Sequence, residues 1–90
     1  MSAPLEIVPE RTPNPNGLKF SLNRTLTEKS LWFSTAQAAA AHPLARAVMA
    51  VPGVQGVMIA ATFVSVNKSP DADWHAIVPP VTAVLQQLLA

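Results

Sequence analysis

The stretch Leu18-Lys19-Phe20-Ser21-Leu22 alternates apolar and polar side chains without a break. Period two is the mark of a strand with one buried face, so Leu18, Phe20 and Leu22 are expected in the core and Lys19 and Ser21 outside it. Before it, residues 5–8 (LEIV) form a short apolar run between Pro4 and Pro9, and proline at both ends suits an edge strand. The turn of residues 12–17 (TPNPNG) joins the two runs, which should pair as a hairpin. Gly17 stands where the turn calls for conformational freedom before the strand begins. Residues 23–30 (NRTLTEKS) are polar and read as loop, and the bulky LWF of residues 31–33 adds a short strand segment.

Helical spacing follows. Ser34 and Gln37 have the separation of a capping box, and the alanine run behind them favours helix. Pro43 falls where a further helix would begin, and Leu44, Ala47, Val48 and Val51 recur along one side of it. Pro52-Gly53 stops that helix. Residues 54–59 and 63–67 are rich in β-branched and aromatic residues and read as a second hairpin, although the connecting Ala60-Ala61-Thr62 has poor turn chemistry. Asp71 or Asp73 can cap the last helix, on which Trp74, Ile77, Val81, Val84, Leu85 and Leu88 lie near one face. Pro79 and Pro80 either kink that helix or mark its start after a short turn.

The order is β-β-α-β-β-α. The fold class expected is α+β: a two-layer domain with a mainly antiparallel sheet of about four strands and two helices on one face. Ninety residues argue for one domain, 1–90.

Composition narrows the function. Charged residues are 12% of the chain, against about 25% in an average protein, so the polar surface is sparse. The six basic residues are scattered and the net charge is +1, which argues against nucleic acid as a partner. The most apolar window, residues 51–66, is too short for a membrane span and is interrupted by Pro52, Gly53 and Gly56. The first ten residues lack a basic region followed by an apolar run, so no secretory signal is read there and a cytoplasmic location is expected. The absence of cysteine leaves no disulfide and no thiolate for zinc, for an iron–sulfur cluster or for nucleophilic attack.

Three blocks carry a resemblance: TPNPNGLKF (residues 12–20), HPLARAVMAVPGVQGVMIAATFVSVNK (residues 42–68) and DWHAIVPPVTAVL (residues 73–85). Together and in this order they resemble the N-terminal domain of the Nfu/NifU-like iron–sulfur cluster scaffold proteins, over roughly Ile7 to Leu89. The resemblance implies contact with iron–sulfur client or assembly proteins, and some handling of iron. Full-length members carry a second domain whose Cys-x-x-Cys motifs hold a cluster between subunits. This sequence has no position to which those ligands can be transferred, and it reads as the accessory half alone. Where the family often has an acidic or small polar residue before the Pro-Leu-Ala helix, His42 stands here, a weaker cap.

The candidate sites are few. Asn14, Asn16 and Lys19 are candidates for display to a protein partner on a rigid loop; the competing reading has the asparagines satisfying backbone groups of the turn. Trp32 and Phe33 are adjacent and on a strand point to opposite faces, so one is expected in the core and the other exposed as an interface anchor, unless neighbouring loops bury both. Trp74, Met49 and Met58 read as core. Asp71, Asp73 and His75 surround a helix start and are the metal candidates, set against a reading in which the aspartates cap the helix and His75 is solvated. No nucleophile motif or glycine-rich loop is present, and no enzyme is expected. The leading expectation is therefore a non-catalytic interaction module of iron–sulfur cluster assembly. The alternatives are an iron-binding module with carboxylate and imidazole ligands, and an adaptor unrelated to clusters that pairs a partner strand with an open sheet edge.

Overall fold

A computed structural model describes residues 4–89, so residues 1–3 of the N-terminal run read above, and Ala90, lie outside it. The elements in chain order are β1 (Ile7–Arg11), β2 (Gly17–Leu22), β3 (Leu31–Phe33), α1 (Ala36–Ala39), α2 (Pro43–Met49), β4 (Val54–Ile59), β5 (Phe63–Lys68) and α3 (Trp74–Leu89). The strands form one antiparallel sheet in the order β1-β2-β5-β4-β3. Both expected hairpins are present, and β5 inserts between β2 and β4.

The sheet has five strands rather than about four, because residues 31–33 pair with β4 and become its outer edge. At the other edge, β1 continues through Pro9 to Arg11 instead of ending at Val8. An edge strand leaves one row of backbone groups without a ladder partner, so a proline without an N–H is accommodated there.

The α+β layering expected from the pattern is present. Leu18, Phe20 and Leu22 of β2, Val57 and Ile59 of β4, and Val64 and Val66 of β5 are buried on one side of the sheet. Against them pack Leu44, Ala45 and Val48 of α2 and Ile77, Val81 and Leu85 of α3. The four-residue spacing in α3 lays one apolar stripe along the sheet. Leu88 falls outside that stripe and is 48% exposed. Antiparallel sheets tolerate one solvated face, and among the described residues no helix packs on the other face.

Helix starts are set by side chains. Thr35, not Ser34, caps α1, its hydroxyl accepting from the Ala38 N–H at 3.0 Å. His42 caps α2 through Nδ1, which accepts from the Ala45 N–H at 3.3 Å, and Pro43 occupies the first turn. α3 runs uninterrupted through Pro79 and Pro80. The two missing N–H groups would have bonded the carbonyls of His75 and Ala76, one turn back, and both residues are exposed, so water can serve those carbonyls.

Two turns depart from expectation for identifiable reasons. Gly53, after α2, has φ 94° and is the one glycine among the described residues in the left-handed region. Gly17 is not, so its requirement is space: a Cβ there would meet Asn67 Oδ1 and Thr12 Oγ1, each at 3.2 Å. The Ala60-Ala61-Thr62 turn lacks turn residues but is held from outside. The Leu22 N–H donates to the Thr62 carbonyl at 2.8 Å and the Leu26 N–H to the Ala61 carbonyl at 2.6 Å. Neighbouring chain supplies what local propensity does not.

Candidate functional site

The turn between β1 and β2 is stiffened by its own polar groups. The Thr12 hydroxyl lies 2.9 Å from the carbonyls of both Asn14 and Gly17 and shares its proton between them. The Asn14 side-chain oxygen accepts from the Asn16 N–H at 3.0 Å, and the Asn14 carbonyl accepts from the Gly17 N–H at 3.0 Å. Asn14 is exposed, but its acceptor is engaged locally, as asparagines in turns commonly are.

Lys68, at the end of β5, fastens this turn to the rest of the molecule. Its side chain continues the Val64, Val66 row onto the helix side of the sheet, and only 9% of the residue is exposed. Its ammonium donates to Asn16 Oδ1 at 3.1 Å and to the Ser69 carbonyl at 3.2 Å. The Trp74 ring stands 5.7 Å from Nζ, within the range of a cation–π contact. The Lys68 N–H donates to the Asn16 carbonyl at 2.8 Å, and the Trp74 indole N–H to the Pro15 carbonyl at 3.0 Å. Residues from all three sequence blocks thus meet at one end of the sheet.

Beside this junction lies a groove of about 690 Å³. The turn contributes Pro13 and Pro15, and α3 contributes Trp74, Val78 and Pro79. The sheet contributes Leu18 and Arg11. Arg11 stands directly opposite Leu18 in the β1–β2 register, and opposed residues share a face, so Arg11 projects on the helix side. Asp73 and His75 border the groove at the start of α3.

Asp73 is the cap of α3. Its Oδ1 accepts from the His75 N–H at 2.9 Å and lies 3.1 Å from His75 Nδ1. The His75 backbone N–H, more than the nearby imidazole and the Lys68 ammonium, holds the Asp73 carboxyl below its ordinary value. A carboxylate whose folded pKa is depressed stabilises the fold above its unfolded pKa, about 3.9, and ceases to do so as the pH falls through the folded value. The urea midpoint of the protein should therefore exceed that of Asp73→Ala near neutrality, and the two should converge below about pH 4.

The proposed metal candidates do not gather as a set. Asp73 and His75 are adjacent, whereas Asp71 makes no hydrogen bond to either. Among the described residues no three His, Asp or Glu side chains converge.

The protein-contact candidates fall in three places. Asn14 and Asn16 build the turn just described. Lys19 and Trp32 lie on the uncovered face of the sheet, where Lys19, Ser65, Met58 and Trp32 form one cross-strand row. The Lys19 ammonium sits 4.5 Å above the Phe63 ring. Trp32 is 54% exposed and covers Gly56, where a Cβ would meet the indole at 3.1 Å. Phe33 points the other way, half-buried against the core with its ring 5.4 Å from that of His42. The opposite-face expectation holds for this pair. Met58, expected in the core, lies instead on the open face, because it is register partner to Trp32 and Ser65. Met49 and Trp74 pack against the core as partly buried residues.

Lys68 and Pro15 stood within the sequence blocks, but neither they nor Arg11 were named as candidate site residues. The signal for Lys68 was present: it continues the alternation of Val64 and Val66, which places a lysine in a core row.

Residues 7–90 match the family model described as scaffold protein Nfu/NifU N terminal. The chain is 38% identical over 77 residues to NifU-like protein 5, mitochondrial, of Arabidopsis thaliana, covering 84% of this chain and 28% of that protein. It is 35% identical over 81 residues to the human NFU1 iron-sulfur cluster scaffold homolog, mitochondrial, covering 88% of this chain and 32% of that protein. It therefore spans about a third or less of the length of these relatives. The solution structure of a NifU-like protein from Saccharomyces cerevisiae superposes with a TM-score of 0.81 at 28% identity, over 94% of this chain and 78% of that one. The crystal structure of protein SAV1430 from Staphylococcus aureus gives 0.73 at 28% identity, over 92% and 99%. Both curated relatives are mitochondrial by name, which overturns the cytoplasmic location expected from the sequence. Location is written in targeting segments, and the patterning of a folded core carries none of it. The fold, the sequence blocks and the family match agree, and the chain belongs to the Nfu/NifU N-terminal family of scaffold proteins.

Proposed function

We propose that this chain is a non-catalytic docking module of iron–sulfur cluster assembly or delivery. It binds client or assembly proteins and leaves ligation of the cluster to thiolates on another domain or protein. The observation that carries the reading is an Nfu/NifU N-terminal domain whose sequence has no cysteine. A relative such as the human protein is named as an iron-sulfur cluster scaffold homolog, which ties the domain to cluster biology. Cysteine thiolates are the usual cluster ligands, so a chain without them contributes by contact. The fold offers surface for that role in the exposed Trp32 and in the groove beside Trp74. Tryptophans held on a rigid scaffold are frequent anchors of protein interfaces.

Two measurements test this. Anaerobic incubation of the purified chain with ferrous iron and sulfide, followed by gel filtration, should leave no cluster chromophore on the protein. Affinity capture from an extract of the source organism should enrich cluster-containing enzymes or assembly factors, and Trp32→Ala should lose them while its far-UV circular dichroism shows the fold retained. A stoichiometric cluster that survives filtration overturns the reading, as does capture in which no cluster protein is enriched.

A further inference from the structure

Most polar groups around the groove are engaged within the molecule. The Thr12 hydroxyl, the side-chain oxygens of Asn14 and Asn16, and the Trp74 indole N–H are all engaged within the molecule. The Lys68 ammonium is buried behind Trp74 in two hydrogen bonds. Asp73 is engaged by His75. Arg11 differs: its guanidinium is exposed and makes no hydrogen bond or ion pair among the described residues. The groove therefore carries two charged groups, the Arg11 guanidinium on β1, without a partner, and the Asp73 carboxylate at the start of α3, held at Oδ1 by His75, while the surfaces of Pro13, Pro15, Trp74 and Val78 are apolar.

Resting on the docking role given above, we propose that this groove binds an extended peptide segment of a partner protein in which an aspartate or glutamate stands two residues from a bulky apolar side chain. In an extended chain, residues two apart project from the same side. The carboxylate then meets the Arg11 fork, whose planar donors match a carboxylate, and the apolar side chain enters between Trp74 and the prolines. β1 is an edge strand, so the mouth of the groove at Arg11 is open to an approaching chain. A volume of about 690 Å³ exceeds what a single side chain fills and suits several residues of such a segment.

The test uses the 90-residue chain and three capped peptides, Gly-Ser-Glu-Gly-Leu-Ser-Gly and its versions with Gln or Lys in place of Glu. Amide and indole shifts are followed by NMR during titration. The Glu peptide should move the Trp74 indole N–H and the amides of residues 12–17, and bind about tenfold more tightly than the Gln peptide. Arg11→Glu should invert the order, so that the Lys peptide binds best, with its other amide shifts unchanged as evidence of an intact fold. Arg11→Gln should bind the Glu and Gln peptides alike. Equal binding of all three peptides to the unaltered chain overturns the proposal. So do shifts confined to the Trp32 face, shifts of equal size produced by acetate alone, and groove shifts that follow protein concentration without peptide, which would make the occupant a second copy. The two readings fail separately. Charge-selective groove binding with no cluster protein captured removes the cluster role and leaves the groove. Capture of cluster proteins with no charge selectivity in the groove does the reverse.

Discussion

Phe20→Ala should lower the unfolding free energy by about 3–5 kcal/mol. Phe20 is fully buried at the middle of β2, paired with Pro9 on one side and Val64 on the other. It lies under the helical layer, so truncation removes its apolar contacts and leaves a cavity that two flanking strands prevent from closing. Domains of this size hold a total stability of about 5–15 kcal/mol, so the loss is a large fraction of the whole. Urea denaturation followed by far-UV circular dichroism measures it. A loss under about 1 kcal/mol would mean that the core repacks around the vacancy.

Lys68→Ala should cost about 2–4 kcal/mol and release the turn of residues 12–17. It removes the donors to Asn16 Oδ1 and the Ser69 carbonyl, and the aliphatic stem that lies in the core row with Val64 and Val66. Lys68→Met keeps most of the stem and removes only the charged head. The lost hydrogen bonds are then partly offset by the desolvation cost of a buried ammonium, so the expected loss is only about 1 kcal/mol. Both variants remove the ammonium facing the Trp74 ring, and the Trp74 indole N–H resonance should shift in each. Equal stability losses in the two would assign the role of Lys68 to its charge alone.

Much of this fold was legible one segment at a time. The alternation of Leu18, Phe20 and Leu22 placed β2 and its buried face, and the spacing of Ile77, Val81 and Leu85 placed the stripe of α3. Pro43 marked the start of α2, and Asp73 was one of the two caps foreseen for α3. The errors came where a partner segment overrode local preference. Pro9 did not end β1, because an edge strand tolerates it. Met58 was not core, because pairing with Trp32 put it on the open face. Gly17 needed room rather than a special dihedral, because Asn67 of a distant strand closes over it.

The candidate site was less legible still. The TPNPNG turn, Asn67-Lys68 and Asp73-Trp74 could each be marked as blocks, but nothing local to any of them shows that they touch. Asn16 bonds Lys68 across 52 positions, and Trp74 bonds Pro15 across 59. Strand and helix periods arise from the geometry of the backbone itself, so residue order alone specifies which positions share a face. Which ends of the elements meet depends on the order β1-β2-β5-β4-β3. That order is chosen by how one apolar face is closed over by all the elements at once, and it is what brings Lys68 beneath Trp74 and leaves Arg11 open beside them.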